Sequence, residues 1–102
     1  MLKQNMEILM IIKMDKDAPL FEQTLTFLRA NEFIMDAADL SRAMGRSRSY
    51  IGCLRYSGHD ASNNSYINLK AFLQECLTET TDTDLQRCLT TYINLITNEV
   101  LA

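Results

Sequence analysis

The chain has 102 residues, 47% of them hydrophobic and 23% charged, with a formal net charge of −3. That length supplies one compact core and no second, and the longest apolar run, Ile8 to Ile12, falls well short of the roughly 20 residues that cross a membrane. Lys3 and Glu7 flank this run and no small-residue cleavage site follows it, so the expected protein is neither membrane-spanning nor secreted but cytoplasmic.

Residues 1–17, with the core MEILMIIKM, form a separate apolar segment that suits an extra helix turn, an edge strand or a tail buried in a dimer. Beyond them apolar residues recur at three- and four-residue steps, and there is no Asn-Gly or Asp-Gly hairpin signal. This predicts an all-α, compact bundle of about five helices. The first helix is expected from about Pro19 to Asn31, with Leu20, Leu25, Phe27 and Leu28 inward. The second is expected from about Ala37 to Met44, with Asp36 as N-cap, Asp39 reaching back, and Ala37, Leu40 and Met44 inward.

Gly45 then stands where the chain must turn sharply, a position that favours a residue free to take positive φ. Ser47 is expected to cap a third helix, with Ile51 and Leu54 packed back on Leu40 and Met44. The opposite face of that helix carries Arg48, Ser49, Gly52, Cys53 and Tyr56. Ser57 to Ser65 reads as a loop, followed by a helix with Tyr66, Ile67, Leu69, Phe72 and Leu73 on its apolar face. Thr83 and Gln86 form a capping-box start for a last helix from about Asp84 to Leu101, striped by Leu85, Leu89, Tyr92, Ile93, Ile96 and Val100. The chain thus divides into the segment 1–17, a core over 18–80 and a C-terminal amphipathic helix over 81–102. The stripe of that helix suits either the protomer's own core or a dimer interface.

Charge is unevenly distributed. Between Leu40 and His59 there are four arginines (Arg42, Arg46, Arg48, Arg55) and no acid, while the part from Asp60 onward is acidic. A partner carrying negative charge is implied, against the plainer alternative of a solvated helix face. Cys53, Cys76 and Cys88 are odd in number and lack a CxxC pair, which argues against a disulfide framework and, even with His59, against a zinc site. Cys53, His59 and Asp60 suggest a nucleophile, base and orienter only by chance proximity. No catalysis, metal, cofactor or small-molecule substrate is expected.

The segment LSRAMGRSRSYIGCL, Leu40 to Leu54, resembles the helix-turn-helix of the phage repressor and Cro superfamily. That pattern asks for an apolar residue, a small residue, a glycine four later and two apolar anchors, and here these are Leu40, Ser41, Gly45, Ile51 and Leu54. Ser41 stands where alanine is usual, and the resemblance extends over about Pro19 to Leu77. It implies a lambda-repressor-like bundle that acts as a homodimeric transcriptional regulator, most simply a repressor, with the third helix in the major groove of double-stranded DNA. Ser47, Arg48, Ser49 and Cys53 would face bases, with Arg48 placed to pair bidentately with guanine. Arg42, Arg46, Tyr50, Arg55, Tyr56 and His59 would touch the DNA backbone. Leu89, Tyr92, Ile93, Ile96 and Val100 would join the protomers. The alternative is the same shape turned against a protein, as in an antitoxin or a phage inhibitor of host defence.

Overall fold

The computed structural model describes residues 18–102, and the expectations for residues 1–17 lie outside them. Five helices follow one another: α1 (Leu20–Ala30), α2 (Ala37–Ala43), α3 (Tyr50–Ser57), α4 (Asn63–Glu79) and α5 (Thr83–Leu95), the last continuing into a π-helical turn, Ile96–Val100. No strand occurs among the described residues, so the fold is the all-α bundle that the periodicity predicts. None of these helices is long and apolar enough to cross a membrane.

In α1 the buried residues are Phe21, Thr24, Leu25, Phe27 and Leu28. Leu20, expected inward, is only half-buried, and Phe21 takes its place. The helix ends at Asn31, after which Phe33 donates its backbone N–H to Leu28 O (2.9 Å) and Glu32 to Arg29 O (3.1 Å). This closure requires a left-handed residue, and Glu32 supplies it at φ 63°. At the start of α2, Asp36 accepts from Asp39 N (3.0 Å), whereas the Asp39 carboxylate reaches past it to Met35 N (2.9 Å).

Helix α4 begins inside the Ser/Asn-rich stretch that reads as loop, because the Ser62 hydroxyl accepts from Ser65 N and caps it. Tyr66, Leu69 and Leu73 point inward as expected, but Ile67 is half-exposed. At α5 the cap is Asp82, not Thr83: its carboxylate accepts from Asp84 N (2.9 Å) and Leu85 N (3.1 Å). Asp and Thr both cap well and stand side by side here, so the sequence alone did not separate them.

The C-terminal stripe closes the protomer's own core. Leu89, Tyr92 and Ile96 are fully buried and Ile93 nearly so, the Tyr92 ring lies 5.0 Å from that of Phe27 in α1, and Val100 is half-buried. A dimer interface built from these five residues is therefore corrected: the surface it needs is already used. The 3.6-residue period identifies an apolar face but not what covers it.

Candidate nucleic-acid interface

The turn between α2 and α3 is locked from three sides. Gly45 has φ 75°, and a Cβ there would come within 2.5 Å of Asn68 Nδ2, the group that donates to Met44 O at the end of α2 (3.0 Å). Glycine is thus favoured for its backbone conformation, and a Cβ would in addition push the Asn68 side chain off Met44 O. Ser41, fully buried, donates to Ala37 O (2.9 Å) and accepts from Ile51 N (3.1 Å). The cap of α3 is therefore supplied from α2 rather than by Ser47, whose hydroxyl lies 3.3 Å from that of Ser49 in the turn before the helix. Ser49 itself makes no side-chain cap bond. A serine in place of the usual alanine gains a purpose: it ties the two helices together.

Ile51 and Leu54 are buried against Leu40 and Met44, which turns the opposite face of α3 outward. Arg48, Ser49, Gly52, Cys53 and Tyr56, at helical spacing, are all exposed. With Ala37 and Arg55 they border one shallow, open depression. Ser47 is exposed in the turn before the helix and does not border this depression. Three of the four residues expected to face bases, Arg48, Ser49 and Cys53, thus share this depression, with Tyr56, 97% exposed, at the far end.

The four arginines have different surroundings. Arg46 donates through Nε to Ser65 Oγ (3.0 Å) and through Nη2 to Ser62 Oγ (2.9 Å), and its guanidinium sits 5.2 Å from the Tyr50 ring centroid. The Tyr50 hydroxyl accepts from Ser62 N and from Ser65 Oγ (both 3.1 Å). Burial works to raise the Tyr50 phenol, but these hydrogen bonds and the nearby Arg46 charge hold it below the usual tyrosine value. Arg46, Tyr50 and the start of α4 therefore form one rigid polar corner.

Arg55 is paired bidentately with Glu22 of α1 (2.6 and 2.8 Å), and its charged form is favoured first by that hydrogen bond, against a smaller cost of burial. Arg42 pairs with Asp39 (3.0 Å). The segment carries no acid of its own, but two of its arginines are neutralised from outside it: folding brings Glu22 from 33 residues away to Arg55, and Asp39 lies one turn before Arg42. Arg48 alone of the four has no hydrogen bond or ion pair among the described residues.

His59 is exposed and borders a second depression with Pro19, Glu22 and Asp60, which also reaches Leu54 and Arg55 of α3. Asp60 instead accepts from the Tyr66 hydroxyl (2.7 Å), which in turn accepts from Phe21 N (3.2 Å). Burial, then the adjacent carboxylate, raise the Tyr66 phenol far above its ordinary value, so it is a structural strut. Cys53 is exposed, Cys88 half-buried and Cys76 buried. Burial pushes the Cys76 thiol up to about 11 and raises that of Cys88. Among the described residues no group of His, Cys, Asp and Glu could hold a metal ion. Sequence reasoning missed Ser62, Ser65 and Asn68, which lie outside the motif and act on it only through the fold. No family model, curated protein or solved structure matches the chain.

Proposed function

We propose that the chain binds double-stranded DNA through the outer face of α3 and regulates transcription by occupying its site. The observation that carries this reading is a helix face that no described element covers, set outward by a locked turn, with Arg48, unpaired among the described residues, at its N-terminal end. An α-helix of this kind fits the major groove, its N-terminal residues meet base edges, and a free guanidinium suits guanine O6 and N7. Arg46, held over Tyr50 at the start of α4, suits a phosphate at the flank. Arg42 and Arg55 face weaker competition than their ion pairs suggest, because exposed pairs contribute only about 0–1 kcal/mol.

A homodimer remains part of the proposal, since one such helix touches few base pairs and a two-fold pair spaced by about 34 Å reads two half-sites. Its interface would lie away from the α5 stripe. The test is selection of bound duplexes from a random pool. Enrichment of an inverted repeat, with affinity falling steeply as salt rises, is the expected result; enrichment of a single half-site would remove the dimer, and no enrichment would remove DNA.

One observation favours a second reading, a protein-binding module. Tyr56 is 97% exposed and Met35, near the start of α2, is 82% exposed, and Tyr, Met and Arg are the residue types enriched in protein interfaces. Under that reading Tyr56→Ala abolishes partner binding and salt has little effect.

A further inference from the structure

Arg46, Tyr50, Ser62 and Ser65 form a hydrogen-bonded corner between the turn before α3 and the start of α4. Arg46 donates through Nε to Ser65 Oγ and through Nη2 to Ser62 Oγ. Ser65 N also donates to Ser62 Oγ (3.2 Å), and the two serine hydroxyls lie 2.9 Å apart. Ser65 Oγ gives its hydrogen to the Tyr50 hydroxyl, which also accepts from Ser62 N, so the Ser62 hydroxyl is the donor to Ser65. The two contacts between hydroxyl oxygens thus use two of the three hydroxyl hydrogens, and the third, on Tyr50, goes to no acceptor among the described residues. Nor does a described carboxylate pair with Arg46, whose Nη1 has no described acceptor either.

We infer that this corner is an oxyanion site, in which the Tyr50 O–H and the Arg46 guanidinium together hold an oxygen of a backbone phosphate of the duplex. This deepens the DNA reading above and rests on it for the source of the oxyanion. A cation and a surplus donor gathered without an acid lack a negative charge and an acceptor, and a phosphate oxygen supplies both. The two donors acting on the Tyr50 oxygen polarise its O–H and strengthen it as a donor in turn. Against the effect of burial, these bonds and the Arg46 charge keep the phenol below its usual value. Arg46 and Ser62 are exposed and Tyr50 is half-buried, so the corner faces solvent. The guanidinium is already fixed by two serines and by the Tyr50 ring, and little side-chain freedom is left to lose on binding. The corner stands at the N-terminal end of α3, the end that meets base edges, so a phosphate held there sets the register of the helix without itself being read.

The test takes a duplex enriched from a random pool, replaces its phosphates one at a time by uncharged methylphosphonate, and measures binding of the full chain and of its Tyr50→Phe variant. The variant is expected to melt within about 5 °C of the parent, because water replaces the hydroxyl at the exposed Ser62. It should bind enriched and random duplexes alike about tenfold more weakly, the effect of one hydrogen bond to a charged group. Methylphosphonate should weaken the parent by about tenfold or more at one flanking phosphate and should weaken the variant far less there. Arg46→Gln should lower the salt slope by about one unit, whereas Tyr50→Phe should leave it unchanged. A variant that binds as the parent does overturns the inference. So does a weakened variant that keeps the parent's full sensitivity at every phosphate, because Tyr50 then acts only through the fold. Should Tyr50→Phe fail to fold, Arg46→Gln takes its place in the same scan, with the same two outcomes. If no duplex is enriched, the DNA reading falls and sodium phosphate decides the site. A saturable shift of the Arg46 Nε resonance, absent with sodium chloride at equal ionic strength and lost in Tyr50→Phe, keeps the oxyanion site for free phosphate; no such shift removes it.

Discussion

On its inner face α3 gives Ile51 and Leu54 to a core shared with Leu40 and Met44, and its first turn is capped by Ser41 from α2. On its outer face, one half-turn away, Arg48, Gly52, Cys53 and Tyr56 are covered by no described element. The difference separates what the helix does for the fold from what it offers a partner. Inner-face residues are each explained by a neighbour in the chain. Outer-face residues meet no described neighbour, so their substitution tests binding with little effect on the fold.

The largest effect should come from the inner face. Ile51→Ala removes a fully buried side chain and should cost about 2–4 kcal/mol in urea unfolding, while Cys53→Ala, two residues on, should stay within about 0.5 kcal/mol. Equal losses would mean that α3 is covered on both sides. Gly45→Ala comes next: left-handed backbone costs a residue with Cβ about 1–2 kcal/mol, and moving Asn68 off Met44 O adds about 1 kcal/mol. If Asn68→Ala proves additive with it, the close approach at 2.5 Å has no energetic meaning. Ser41→Ala should cost about 1–2 kcal/mol by leaving the buried Ile51 N–H without an acceptor. A neutral outcome would show that the turn is held by apolar packing alone.

How legible this was depended on the distance over which each signal acts. Asp36 caps its own helix, Gly45 bends the chain where it stands, and the three-residue spacing of Ile51 and Leu54 marks one apolar face, so these signals give the helices, the bend and the inner face directly. The cap on Ile51 comes from 10 residues away, the lock on Met44 from 24 and the partner of Arg55 from 33, and each depends on how helices meet. The same limit explains the C-terminal stripe, where the period marks Leu89, Tyr92 and Ile96 as apolar but α1 and α4 decide that they face inward. It also explains the arginines, because the acid that pairs with Arg55 lies outside their run and arrives only when α1 folds against α3.

The smallest effects on folding, and the sharpest on function, belong to those arginines. Arg55→Ala should lose about 1 kcal/mol of stability, since the bidentate pair with Glu22 joins α3 to α1 but is half-exposed. Arg42→Ala should change unfolding by less than about 0.5 kcal/mol and, if this residue meets phosphate, weaken enriched and random duplexes alike. Arg48→Ala breaks no contact among the described residues, so its unfolding should match the parent within about 0.5 kcal/mol. Its binding should nonetheless fall by about 1–3 kcal/mol on the enriched site and far less on random DNA, with discrimination relaxed at one base pair. Titrations of both duplexes at several salt concentrations separate the two roles, because a lost phosphate contact lowers the salt slope by about one unit. Should Arg48→Ala weaken both duplexes equally, its guanidinium positions the helix without reading sequence, and discrimination must then come from the surface around Gly52 and Cys53. Should it weaken neither, Arg48, the cation of this face with no partner among the described residues, lies outside the contact, and the exposed Tyr56 end becomes the better candidate for whatever α3 meets.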